Sequence, residues 1–98
     1  METIGQWPQK RIQTMTWTTT ELIVLFQQEI SAELSIPQND VDEHESFLSL
    51  GLDSVTAIFV LERMEKHLSI TLNPIWFWDY PTIESFSVFL ADKLTSRN

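Results

Sequence analysis

Apolar residues recur at helical intervals in three stretches of the chain. Leu22, Phe26, Ile30 and Leu34 follow one another in steps of four, with Ile23 and Leu25 beside them. That spacing predicts an amphipathic helix with a wide apolar face. Thr18-Thr19-Thr20-Glu21 stands at its start in the S/T-x-x-E form, in which the two side chains each accept from the other residue's backbone amide. Pro37 marks the helix end. Ile58, Leu61, Met64 and Leu68 give a second stripe, with Val60 beside it, and predict a helix from Asp53 or Ser54 to about His67. Ile58, Leu61 and Met64 are expected to face inward and Phe59 outward. Ile83, Phe86, Leu90 and Leu94 give a third stripe, with Phe89 nearby and Thr82 as the cap.

Two connections separate these helices. Residues 35–53 form a long one, with Val41, Phe47, Leu48 and Leu50 as apolar points that can pin it to a core. Loops longer than about 12–15 residues in a compact domain are usually functional or disordered. Residues 69–81 are dense in aromatic and β-branched side chains, but Pro74 and Pro81 argue against a central strand. A loop with one short helical turn near 75–79 is expected there. Residues 1–16 show no period and read as a flexible leader, with Trp7 as its only candidate anchor. The expected fold is all-α: a small four-helix bundle, three helices longer and one short, with a long loop between the first and second. The expected division is a leader at 1–17, one domain at 18–95 and a tail at 96–98.

Composition narrows the function. The 98 residues carry a net charge of −8. Glu2, Lys10 and Arg11 leave residues 1–17 at +1, so the remainder carries −9. Such a domain repels nucleic-acid backbones and attracts basic patches on proteins. No apolar run approaches the ~20 residues that span a bilayer, so no membrane role is expected. There is no cysteine, which removes disulfides, thiolate chemistry and cysteine–metal sites. A cytoplasmic monomer is the expectation.

The informative stretch is Gly51-Leu52-Asp53-Ser54-Val55. Asp53 is a suitable N-cap. Ser54 follows a flexible glycine at a helix start, so its hydroxyl should face solvent. Free amides and the positive end of the helix dipole should lie beside it, where a phosphate attached to the hydroxyl is favoured. On this local pattern a plain helix cap remains open as the other reading. A hydrolase serine would want G-x-S-x-G, and no glycine follows Ser54 at that spacing. His44-Glu45 begins like a zinc motif, but position 48 is Leu. The acids at 40–45 lack the order of a calcium loop. No metal site is expected, and both His44 and His67 read as solvated.

The wider sequence resembles the carrier-protein family. Phe47, Leu50, Gly51, Leu52, Asp53, Ser54 and Val55 match its attachment motif, F-x-x-L-G-[LAMG]-D-S-[LIV]. Trp78-Asp79-Tyr80-Pro81-Thr82-Ile83 is similar to the family's F-D-x-P-T-[IV] segment, with Trp78 in place of phenylalanine. The resemblance covers about residues 18–95. It implies that a phosphopantetheinyl transferase moves 4'-phosphopantetheine from coenzyme A to the Ser54 oxygen, with Asp53 and Gly51 forming the attachment site. An acyl cargo then rides as a thioester, and the catalysis belongs to partners: an acyl-activating ligase or acyltransferase, and a ketosynthase or other tailoring enzymes.

Gly51-Leu52-Asp53-Ser54 looks more like polyketide carriers than like amino-acid carriers, which usually read G-[GH]-[DH]-S. A peptidyl carrier, or a carrier-like module that is never modified, are the alternatives. Two expectations stay open, a stand-alone carrier and a domain excised from a longer protein, with the initial Met1 on the side of the first. Related carriers often bear acids two and five positions after the serine; here those are Thr56 and Phe59. Val55, Thr56, Phe59, Glu62 and Glu65 are the candidate partner-facing residues. Of the tryptophan pair, Trp78 is expected in a core-like place and Trp76 nearer the surface beside the arm.

Overall fold

A computed structural model describes residues 17–95. The leader at 1–16, with Trp7, and the tail at 96–98 lie outside the described residues. Trp17, at the leader's end, is half-buried against the core.

The described residues are helical, joined by loops. α1 spans Thr19–Leu34, α2 Phe47–Leu50, α3 Ser54–Leu68, α4 Trp76–Asp79 and α5 Ile83–Thr95. α1 starts where the capping box predicts: Glu21 N–H donates to Thr18 Oγ1 at 3.1 Å and Thr18 N–H to Glu21 Oε1 at 3.0 Å. It stops at Ser35, which takes the left-handed conformation (φ 56°) two residues before Pro37. α5 has its own reciprocal cap. Ser85 N–H donates to Thr82 Oγ1 at 3.0 Å, and Thr82 N–H to Ser85 Oγ at 3.2 Å.

α1 packs against both α3 and α5. Its buried stripe is Leu22, Leu25, Phe26 and Ile30; α5 contributes Ile83, Phe86, Leu90 and Leu94. Ion pairs fasten the outer edge of the α1–α3 contact. Arg63 lies 2.8 Å from Glu33 and 3.7 Å from Glu29, and His67 Nε2 lies 3.2 Å from Glu29.

The α3 stripe differs from expectation. Val60, Leu61, Met64 and Leu68 are buried, whereas Ile58 is 42% exposed. At 3.6 residues per turn, these four share an arc on which the small Ala57, rather than Ile58, is the next member towards the N-terminus. Phe59 points the other way and is exposed, as expected.

The long first connection is organised. It holds a 3₁₀ turn at Gln38–Asp40 and the single-turn α2. Val41 and Phe47 are buried and Leu50 half-buried, but Leu48 faces solvent instead of the core. A one-turn helix cannot aim two consecutive residues at the same surface. The connection is also stitched to the start of α5. Ser46 and Thr82 form an antiparallel bridge, Phe47 N–H donates to Pro81 C=O at 2.8 Å, and Glu84 N–H to Glu43 C=O at 3.1 Å.

Candidate functional site

Ser46 caps α2 by accepting from Ser49 N–H at 3.0 Å. Gly51 ends the helix at φ 113°, a conformation that side chains with a Cβ disfavour. Leu52 then turns inward and is buried, its N–H donating to Phe47 C=O at 3.0 Å. With Leu52 anchored, Asp53 and Ser54 emerge at the surface to begin α3.

Asp53 and Thr56 form a capping box: Thr56 N–H donates to Asp53 Oδ1 and Asp53 N–H to Thr56 Oγ1, both at 2.9 Å. The Thr56 amide, then its hydroxyl, hold the Asp53 carboxyl below the usual aspartate range, with the Val55 amide adding to the effect. Asp53 is therefore an anion at neutral pH. The expected free amides are corrected in part: Asp53 already takes that of Thr56.

Ser54 is the first residue of this 15-residue helix and is exposed. No hydrogen bond to a described residue engages its hydroxyl. Beside it opens a cleft of about 190 Å³ where α2, α3 and α4 meet. Its walls are mainly Leu48, Ala57, Ile58, Pro74, Phe77 and Trp78, and Asp53 and Ser54 also line it. Neither His44 nor His67 does.

Trp76 and Trp78 exchange the places expected of them. Trp78 is 65% exposed on the cleft wall. Trp76 is half-buried, edge-on to Phe89 at 4.9 Å, with Lys93 Nζ 5.3 Å from its ring. Phe77, between them, takes the core position, T-shaped against Phe47 at 4.6 Å. A single helical turn turns its middle aromatic inward and leaves its neighbours on the flanks.

Among the candidate partner-facing residues, Val55, Phe59 and Glu62 are exposed and Thr56 is engaged in the cap. Glu65 is half-buried and accepts from Leu72 N–H at 2.7 Å, tethering the loop after α3. His44 is exposed but sits between carboxylates, 3.2 Å from Glu84 and 3.6 Å from Glu43. The cleft wall itself was not foreseen. The signal for it was Ala57, a small residue at the N-terminal end of the α3 stripe that leaves space beside Ser54.

Ser54 thus offers an exposed, unengaged hydroxyl at a helix start, next to an apolar cleft. The family model described as phosphopantetheine attachment site matches residues 25–90. The polyketide synthase PksL of Bacillus subtilis is 30% identical over 92 residues, covering 90% of this chain and 2% of that protein. The 6-methylsalicylic acid synthase of Penicillium terrestre is 31% identical over 73 residues, covering 74% of this chain and 4% of that protein. The chain thus spans a few per cent of the length of these synthases. Among solved structures, a free-standing peptidyl carrier protein from Acinetobacter baumannii superposes with a TM-score of 0.74 at 27% identity, covering 79% of this chain and 96% of that one. An HMG-ACPI domain from the CurA module of Lyngbya majuscula shares the fold, with a TM-score of 0.75 at 21% identity over 96% of this chain and 95% of that one. The span matched by the family model includes both the Gly51–Ser54 corner and the Pro81–Thr82 junction, and the chain belongs to the phosphopantetheine attachment-site family of carrier domains.

Proposed function

We propose that Ser54 bears the phosphopantetheine arm and that the domain presents acyl intermediates to polyketide or hybrid biosynthetic enzymes. The observation that carries this reading is the Ser54 hydroxyl, exposed and unengaged at the first position of α3. In attachment, Ser54 Oγ forms a bond to the phosphorus of coenzyme A that carries the pantetheine. The pyrophosphate P–O bond breaks, adenosine bisphosphate leaves, and the hydroxyl proton passes to a base on the transferase. The attached group supplies a terminal thiol for thioester formation.

The chain's own residues hold the serine in place. Leu52 anchors the strand of chain before it, and the Asp53–Thr56 box fixes the helix start. The reading makes the domain a non-catalytic carrier. Its partners are a phosphopantetheinyl transferase, an acyl-activating ligase or acyltransferase, and a ketosynthase or tailoring enzyme. Cytoplasmic location and a monomeric state belong to the same proposal; no helix among the described residues is long and apolar enough to cross a membrane.

The test is intact mass after incubation with coenzyme A and a broad-specificity transferase. Wild type should gain one phosphopantetheine; Ser54→Ala should gain none while keeping its helical spectrum. Modification that persists in Ser54→Ala rejects the assignment. A peptidyl carrier is the second reading, favoured by the 27% identity to the free-standing peptidyl carrier. Loading by acyl-activating against aminoacyl-activating ligases separates the two. Phe59, 47% exposed one turn beyond Ser54, is the proposed apolar contact for the loading enzyme. Phe59→Glu should leave the arm in place and slow acyl loading.

A further inference from the structure

Glu43, His44 and Glu84 do not line the Ser54 cleft, and the carrier reading uses none of them. His44 Nδ1 lies 3.2 Å from Glu84 Oε1, and its Nε2 lies 3.6 Å from Glu43 Oε2. One donor atom from each of the three residues falls within 4.8 Å of the other two. The contiguous zinc pattern fails at Leu48. This set is discontinuous: Glu84 comes from the start of α5, 40 positions after His44.

Three features together point to a ligand. The donors are mixed, one imidazole with two carboxylates, which suits a borderline divalent ion such as zinc better than calcium or magnesium, whose ligands are oxygens. The charge is unbalanced: even a protonated His44 supplies one positive charge against two negative ones, with Asp42 and Glu45 adjacent in sequence. A divalent cation cancels both carboxylates and needs only the imidazole lone pair. The backbone is also set beforehand. Glu84 N–H donates to Glu43 C=O at 3.1 Å, and His44 N–H donates to Asp42 Oδ1 at 2.9 Å. The two segments are thus held side by side before any ion arrives, which lowers the ordering cost of binding.

We propose that Glu43, His44 and Glu84 form a zinc site that ties the first connection to the start of α5. At zinc–ligand distances of about 2.0–2.2 Å, tetrahedral donors stand about 3.4 Å apart. Side-chain rotation brings one ring nitrogen and both carboxylates to that spacing, and His44 and Glu84 are exposed and free to make it. Water completes the coordination. The site is independent of Ser54 and of its arm.

The experiment titrates zinc chloride into the full, tag-free chain by calorimetry and NMR. One zinc should bind per chain, shifting the His44 imidazole signals and slowing hydrogen exchange at the Glu84 and Phe47 amides. His44→Gln and Glu84→Gln should each weaken binding at least tenfold with the helical spectrum kept. His67→Gln, which removes the other imidazole–carboxylate pair, should bind as wild type does. Magnesium at the same concentration should leave the imidazole signals in place. Failure to saturate by 1 mM zinc leaves the cluster an ion pair only and overturns the site. Binding that survives His44→Gln, or that shifts His67 instead, overturns it as well. An equal response to magnesium shows diffuse attraction to acidic surface and rejects a zinc site.

Discussion

The aromatic side of the bundle and the corner around Ser54 draw on the same residue types and use them in opposite ways. At Phe86, rings converge: Phe26 at 5.1 Å, Phe77 at 5.4 Å and Phe47 at 6.1 Å. A short distance away, Leu48, Ile58 and Trp78 have comparable apolar surface and keep it in water. Two consecutive pairs straddle the divide: Phe47 and Phe77 turn inward, and Leu48 and Trp78 outward. The one-turn helices α2 and α4 therefore each serve both sides. Their inner residues contribute to stability, and their outer residues keep apolar surface in water beside Ser54.

That division can be broken most directly at its boundary. Phe77→Ala should lower unfolding free energy by about 3–5 kcal/mol, read from the urea midpoint at unchanged slope. Trp78→Ala, on the exposed side, should change it by about 0.5 kcal/mol. Equal losses in the two variants would abolish the distinction. The joint between the regions comes next. An added Cβ at Gly51 meets only Leu34 Cδ1, at 3.7 Å, so Gly51→Ala introduces backbone strain without a clash. At φ 113° the cost should be about 1–2 kcal/mol, and a thermal midpoint equal to wild type would contradict it.

A smaller effect, of opposite sign, belongs to the core. Ser87 is fully buried and its hydroxyl has no hydrogen-bond partner among the described residues. Ser87→Ala removes that unsatisfied group and adds a better helix former. Stability should rise by about 1 kcal/mol, and a loss would reveal a partner for the hydroxyl. The smallest effect lies at the Ser54 corner. Asp53 has a lowered pKa in the folded state, so its capping contribution is fully present above the unfolded value, about 3.9. It is lost only as pH falls through the lower folded value. The Thr56 amide shift should titrate below the ordinary aspartate range and remain flat near neutrality; a midpoint at the ordinary value would mean that the cap is not formed.

Much of this was legible in the sequence. The capping box at Thr18–Glu21, the α3 start at Ser54 and the short helix near 75–79 follow from local rules, because caps and prolines act within a few residues. The α1 and α5 stripes were legible for a related reason: runs spaced by three and four leave little choice of face. What was not legible depended on contacts distant in sequence. Ile58 and Val60 are both apolar, and only the neighbouring helices decide which is buried. Trp78 matches the family's phenylalanine position in the motif, yet Phe77 fills the space beside Phe47 and leaves Trp78 outside. The Ser54 corner was legible as a motif, whereas its cleft depends on the meeting of three elements.

The stitching of the first connection to the start of α5 has a consequence for the order of assembly. Phe47 and Pro81, and Glu43 and Glu84, are far apart along the chain, and their bonds close a loop that contains all of α3 and α4. Loops of that length close at an entropic cost that local helix formation does not carry. The amides of Phe47 and Glu84 should consequently open to hydrogen exchange as one cooperative unit. Reversible release of that single seam would loosen the segments on both sides of Ser54 while leaving α1 intact.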